Sequence, residues 1–214
     1  DLHAEAFDMT YVWTWNKAVE KICKGETAIN ELYIYYSWNE SAFPKNALRM
    51  TFVSNHDMNA WEGTMYEKFG EGLEAAIALS VVGEGMPLIY NGQEAGNSKQ
   101  LEFFEKDPIE WKEHPIGDLY KNLLALLKEN TALWHLHPGA KMIHVPNNHE
   151  KEVFSFIRMY EKDKVFAVFN FSDTAKEVHF GDSLFIDLYT DFAGKTETDF
   201  TQDTKLKIEP WGYK

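Results

Sequence analysis

Only one cysteine, Cys23, and two arginines, Arg49 and Arg158, stand among the 214 residues. A lone thiol excludes an internal disulfide framework and leaves both reducing and oxidising compartments open. Basic residues are scarce: 21 Lys and Arg against 34 Asp and Glu give a net charge of −13. The electrostatic footprint of a nucleic-acid binder is therefore missing, and a neutral or cationic ligand suits the surface better than a polyanion. No stretch approaches the ~20 continuous apolar residues of a membrane span, and no basic region followed by an apolar one opens the chain. Neither a nucleic acid nor a membrane is expected as a partner. Internal repeats and low-complexity segments are also absent. What remains is a globular composition, 44% hydrophobic and 15% aromatic, long enough for one or two domains. The chain starts at Asp1 and reaches an apolar run at Ala6 to Val12 almost at once, the pattern expected of a fragment or processed product of something longer.

The periodicity predicts two kinds of architecture in succession. Phe7 to Val12 reads as a strand, followed by a helix ending at Lys24-Gly25, since glycine is favoured just past a helix end. Thr27 is placed to cap a second helix with Ile29, Leu32, Tyr33 and Tyr36 on one face, stopped before Pro44. Leu48 to Ser54 is a second strand, Glu71 to Val82 a helix with one narrow apolar face, Met86 to Tyr90 a third strand, and Ile116 to Leu127 another amphipathic helix. Strands that alternate with helices and are apolar along their length imply a parallel sheet covered on both faces. After about His137 the pattern changes to short strands at 153–160, 165–170, 177–180, 184–188 and 206–208, broken by turn residues suited to an antiparallel sandwich able to fold alone. The expectation is α/β plus all-β, with domains at 1–137 and 138–214.

Active sites of parallel α/β folds collect at the carboxyl ends of the strands, where adjoining loops converge. Asn55-His56-Asp57 occupies that position. A carboxylate beside an imidazole can stabilise a developing cation, act as a base or bind a metal, and the tripeptide does not choose, nor does it exclude a structural role. Tyr90-Asn91-Gly92-Gln93-Glu94 ends the next strand and reads as a structural turn with a hydrogen-bonded Glu94. Trp61 follows the Asn-His-Asp motif where a ring can line a cleft and stack on sugar C–H surfaces, while most other aromatics read as packing. Two further matches fail on their own terms. Asp1-Leu2-His3 together with Asn55-His56-Asp57 is similar to the ligands of dinuclear metallophosphatases, but the intervening Gly-Asp motif is absent. Gly181-Asp182-Ser183-Leu184 matches a lipase-esterase nucleophile signature, but no histidine follows Ser183 to serve as its base.

Phe52-Val53-Ser54-Asn55-His56-Asp57 resembles the fourth conserved region of glycoside hydrolase family 13, the alpha-amylase family. Met86 to Glu94 is similar to that family's eighth barrel strand and following turn, Ala6 to Tyr11 to its sixth strand, and Lys207 to Tyr213 to the end of its all-β C-terminal domain. The resemblance implies the C-terminal part of a TIM (β/α)8 barrel, strands six to eight, followed by an antiparallel β-sandwich. It implies a retaining alpha-glucan hydrolase acting on starch or maltooligosaccharides, with Asp57 as the transition-state stabiliser and His56, Asn55 and Trp61 binding the sugar. The family's nucleophile and general acid come from earlier strands, so the resemblance implies that the isolated chain is inactive. Calcium is a cofactor the parent could hold, but its usual ligands lie in earlier parts of the barrel and none is carried over. Many members place an arginine shortly after the Asn-His-Asp motif, where this chain has Met58 to Gly63. The alternative reading is a non-catalytic carbohydrate-binding or assembly module derived from the same family. Partners implied are an alpha-glucan and, through open sheet edges, a second copy of the chain or the missing N-terminal portion.

Overall fold

A computed structural model describes residues 2–135, 140–194 and 196–214. The expected domain boundary at 137/138, and His137 with it, lies outside the described residues. A single-turn helix α1 (Leu2–Glu5) precedes strand β1 (Met9–Tyr11), which pairs in parallel with β2 (Leu48–Thr51), and β2 in turn with β3 (Met86–Pro87). All three strands are shorter than their apolar runs. Pro87 pairs with Thr51 without an N–H of its own, because the Leu88 N–H donates to the Thr51 carbonyl at 2.8 Å; the donor that proline lacks falls on the side of β3 away from β2. Gly85 permits the close approach of β3 to β2. Its φ is +136°, and a Cβ there would stand 2.7 Å from Thr51 Cγ2 and 2.8 Å from the Arg49 carbonyl. Among the described residues, no further strand covers the outer edges of β1 and β3.

Helix α2 (Trp13–Cys23) ends where the sequence places it, with Gly25 at φ +69° and the Glu26 N–H returning to the Lys21 carbonyl. Helix α3 (Asn30–Ala42) starts later than Thr27 suggests. Ile29 occupies its cap position without a side-chain bond, and the burial of Ile29 and Leu32 decides the start instead. The largest departure is α6 (Leu73–Val82). It has no narrow apolar face, because every residue except Glu74 is buried. A helix apolar all round is a core helix, and α6 is one because packing covers it on every side. Helix α7 (Pro115–Glu129) begins as expected, with Pro115 in the first turn and His114 Nδ1 accepting from the Ile116 N–H at 3.2 Å.

In the second half, β4 (Met142–His144), β5 (Val153–Tyr160) and β6 (Asp163–Asn170) form one antiparallel sheet. Two further antiparallel pairs follow, β7 (Lys176–His179) with β10 (Lys205–Ile208), and β8 (Asp187–Thr190) with β9 (Glu197–Phe200). The strand read at 184–188 begins at Asp187 because residues 182–186 form a turn. Asp182 Oδ1 accepts from the Leu184 N–H at 2.8 Å, and the Ile186 N–H reaches the Ser183 carbonyl at 3.2 Å. That turn also accounts for the Gly-Asp-Ser-Leu match.

Alternation along β5 and β6 sends side chains into two cores. Val153, Ile157 and Val168 join Val178, Phe180, Phe185 and Ile208 on the side of β7 and β10. Phe154, Phe156, Ala167 and Phe169 join the core of α2, α3, α6 and α7 on the other side. Rings run in series across this second contact: Tyr36 of α3 stacks on Phe154 at 6.1 Å, and Phe156 on Phe169 at 6.1 Å. The β region is therefore not an independent body; one of its faces is the floor of the helical half. Arg158 fixes the join. Its buried guanidinium donates to the Gly83 and Val82 carbonyls at the end of α6 (2.9 and 3.2 Å) and its Nε to the Ala140 carbonyl (2.8 Å). The charge complements the negative end of the helix dipole, although burial pushes the guanidinium down to about 10.

Truncating Phe156 to alanine is expected to cost about 3–5 kcal/mol, and to do so in one cooperative transition for the whole chain. Helical signal at 222 nm and near-ultraviolet aromatic signal should shift to lower denaturant together. Two separate transitions, with only one displaced, would show that the halves do not share a core.

Candidate functional site

Beyond β2 the chain runs buried through Phe52, Val53 and Ser54. Asn16 of α2 holds it there, donating from Nδ2 to the Phe52 and Val53 carbonyls at 2.8 and 3.3 Å. Asn55 then adopts an extended conformation and starts helix α4 (His56–Trp61), its Oδ1 accepting from the Met58 N–H at 2.9 Å. The sequence reading gave Asn55 to the ligand. In the structure it is 1% exposed with its oxygen committed to the cap, so it orients the helix that carries its neighbours. His56 and Asp57 occupy the first turn, each about half exposed, with Nε2 and Oδ1 3.6 Å apart. Such a pair is free to reach a ligand from the carboxyl end of the sheet.

Trp61 closes α4 and is 63% exposed. Facing it are two rings that the sequence reading passed over, Phe103 at 5.5 Å and Phe104 at 6.3 Å between centroids, and Phe103 also lies over His56 at 6.0 Å. They belong to the irregular segment between β3 and α7. Their signal in the sequence was the Phe-Phe pair set in an acidic stretch, Glu102 to Asp107, with neither helical nor strand period. Ala60, Trp61 and residues 100–105 enclose a cleft of about 460 Å³. A second cluster stands at the end of β1, where Tyr11 and Trp13 stack at 6.2 Å and both meet Phe52 edge-on.

The turn after β3 is structural, as its sequence suggests. Gln93 is buried, accepting from the Tyr90 N–H at 2.6 Å and donating to Tyr120 Oη at 2.8 Å, while Glu94 accepts from the Gly92 N–H at 3.0 Å. His3 packs edge-on against Phe43 and lies 3.0 Å from Thr10 Oγ1. Among the described residues, no three His, Cys, Asp or Glu side chains come together as a metal site, and no helix is long and apolar enough to cross a membrane.

An ion cluster anchors the far end of α4. Lys68 of α5 (Met65–Phe69) is 3% exposed and lies 2.9 Å from both Glu20 and Glu62; Lys24 also pairs with Glu20, and Lys17 with Glu62. Burial alone would raise the Glu20 carboxyl. Hydrogen bonds from Lys24 and Lys68 outweigh it and hold the group below its ordinary value of 4.5. Bonds from Lys17 and Lys68 lower Glu62 likewise.

No family model matches the chain. Over 131 residues it is 29% identical to the 1,4-alpha-glucan branching enzyme GlgB of Bacillus cereus, an alignment covering 56% of this chain and 20% of that enzyme. Among solved structures it resembles the maltogenic alpha-amylase AmyB of Thermotoga neapolitana, with a TM-score of 0.78 and 19% identity over 98% of this chain and 48% of that one. An alpha-amylase from Lactobacillus plantarum gives 0.76 at 18% identity, over 98% of this chain and 47% of that one. The cyclomaltodextrin glucanotransferase CldA gives 0.74 at 18%, over 95% and 43%. These neighbours are alpha-amylase-family proteins. The chain spans about a fifth of the curated relative and just under half of each solved neighbour. The likeness to alpha-amylase-family structures therefore extends through both the parallel sheet and the antiparallel region.

Carboxyls whose folded values are depressed stabilise the protein above the unfolded value and lose that contribution as pH falls through the folded one. Unfolding free energy is thus expected to decline below pH 4.5 in part through Glu20 and Glu62. Urea titrations at a series of pH values should show a shallower acid slope for Glu20→Gln than for the unsubstituted chain; identical slopes would remove the cluster from the account.

Proposed function

We propose that residues 1–214 are the C-terminal portion of a retaining alpha-glucan hydrolase of the alpha-amylase family, in which β1, β2 and β3 are strands six to eight of a (β/α)8 barrel. The observation that carries this reading is the exposed His56–Asp57 pair at the carboxyl end of β2, flanked by Trp61. The whole-chain likeness to solved alpha-amylases supports it.

A retaining glycosidase passes through an oxocarbenium-like transition state between a nucleophilic carboxylate and a carboxylic acid about 5–5.5 Å apart. In this reading those two groups come from elements outside residues 1–214. Asp57 acts as the third carboxylate, accepting hydrogen bonds from sugar hydroxyls and stabilising positive charge at the anomeric carbon. His56 donates to the same sugar, Trp61 offers a ring face to its C–H surface, and Asn55 holds α4 so that both are presented. The substrate is a starch-type or maltooligosaccharide chain, a neutral ligand that an acidic surface does not repel. A calcium ion of the parent would draw its ligands from outside this chain.

In the full-length polypeptide that carries these residues, Asp57→Asn is expected to lower kcat at least about 100-fold, by analogy with other losses of electrostatic transition-state stabilisation, with the melting temperature unchanged. Retention of most activity would remove Asp57 from the catalytic set. The 214-residue chain alone should release no reducing sugar from starch at an enzymatic rate, because members of a concerted set lose nearly all their advantage when separated.

Among the described residues no strand pairs with the outer edges of β1 and β3, and Met9, Tyr11 and Met86 beside them are partly exposed. The isolated chain is therefore expected to self-associate or to bind the remaining barrel portion. A sedimentation coefficient independent of concentration, at the value of a compact monomer, would refute this.

A further inference from the structure

Phenylalanine is among the residue types most often buried, yet Phe104 is 82% exposed, with its ring 4.9 Å from that of Phe103 and 6.3 Å from that of Trp61. The segment bearing these rings has no regular secondary structure but is fixed at several points. Asn59 of α4, 4% exposed, donates to the Lys99 carbonyl at 3.1 Å and accepts from the Leu101 N–H at 2.8 Å. Gln100 donates to the Ala60 carbonyl at 2.6 Å, Lys99 pairs with Asp107, and Asp107 Oδ2 accepts from the Glu102 N–H at 3.0 Å. Ordering a loop costs conformational entropy, and here the ordering holds two apolar rings in water beside the candidate site. Exposed apolar clusters of this kind mark binding surfaces.

The chemistry of the cleft selects its occupant. Ring faces of Trp61, Phe103 and Phe104 offer stacking surface, and the carboxylates of Glu102 and Glu105 on the same lining offer hydrogen-bond acceptors. A pyranose presents both complements, a C–H face and hydroxyl donors. Lys99 is engaged with Asp107, so the lining has little to hold an anion, and the carboxylates oppose an acyl chain or an acidic headgroup. Phe103, which lines the cleft, also stacks on His56 at 6.0 Å, so the cleft borders the site. Resting on the alpha-glucan reading above, we infer that Phe103 and Phe104 form a second sugar position, next to the one at His56 and Asp57. They thereby set the preference for oligosaccharides over short sugars, and Asn59 is the positioning residue that holds the wall against α4.

The test is a comparison of maltose with maltohexaose in the full-length polypeptide, for the unsubstituted protein, Phe103→Ala, Phe104→Ala, Phe104→Tyr and Asn59→Ala, by steady-state kinetics and titration calorimetry. Loss of one stacking ring should weaken maltohexaose about 2- to 12-fold in KM and Kd, the equivalent of 0.5–1.5 kcal/mol. Maltose should be little affected, and Phe104→Tyr, which keeps a ring, should retain binding. Phe104→Ala should leave the melting temperature unchanged because the ring is exposed; Asn59→Ala should reproduce the selective loss for the longer sugar. If both alanine variants at Phe103 and Phe104 bind maltohexaose as tightly as the unsubstituted protein, while Asp57→Asn abolishes turnover, the second sugar position is refuted and the glucan reading stands. If the unsubstituted protein neither binds nor turns over any maltooligosaccharide, both fall.

Discussion

With Phe154, Phe156 and Phe169 turned toward the helices and Val153, Ile157 and Val168 turned toward the outer strands, β5 and β6 have no side facing water. An antiparallel pair is more often solvated on one face. Here its double burial forces the chain before residue 136 and the chain after 139 to share a core. Among the described residues no carboxylate is in hydrogen-bonding contact with Arg158, in the same strand, and backbone carbonyls from both halves satisfy it instead. Helix α6 lies between this sheet and the parallel strands, which is why it lacks a polar face.

From that common core the site is assembled by short-range devices. Asn16 pins the backbone after β2, Asn55 caps α4, and Lys68 with Glu20 and Glu62 ties the end of α4 to α2 and α5. The turn from Trp61 into α5 is fixed by a capping box. Thr64 Oγ1 accepts from the Glu67 N–H at 3.3 Å, and Glu67 Oε2 accepts from the Thr64 N–H at 2.8 Å. Between these anchors only six residues carry His56, Asp57, Asn59 and Trp61, so groups with different chemistry are held within one helix turn or two of each other. A rigid scaffold presenting polar and aromatic side chains on adjoining loops is the usual way an α/β sheet builds a site at its carboxyl edge.

Several elements were legible before any coordinates, and each for a local reason. The Gly25 stop of α2, the amphipathic period from Ile116 to Leu127 in α7, and the turn-bounded apolar runs of β5 and β6 depend on residues within a few positions of one another. Departures from that reading have two sources. Helix α6 has no narrow apolar face because distant elements pack around it, whereas Leu184 to Ile186 is drawn into a turn by the nearby Asp182. In the site, His56, Asp57 and Trp61 lie along one short helix, and Asn55 turns inward to cap it.

What the sequence determined by itself was the order of the three parallel strands and of α2, α3, α6 and α7, the acidic charge balance, and the position of a histidine and a carboxylate at a strand end, because composition, period and turn chemistry are properties of neighbouring residues. Tertiary structure alone decided that Phe103 and Phe104, more than 40 positions from Trp61, would stand against it, and that Asn59 would hold their loop. It also decided that the two halves would have one core. Those outcomes depend on which surfaces exclude water together, a property of the assembled chain that no local pattern encodes.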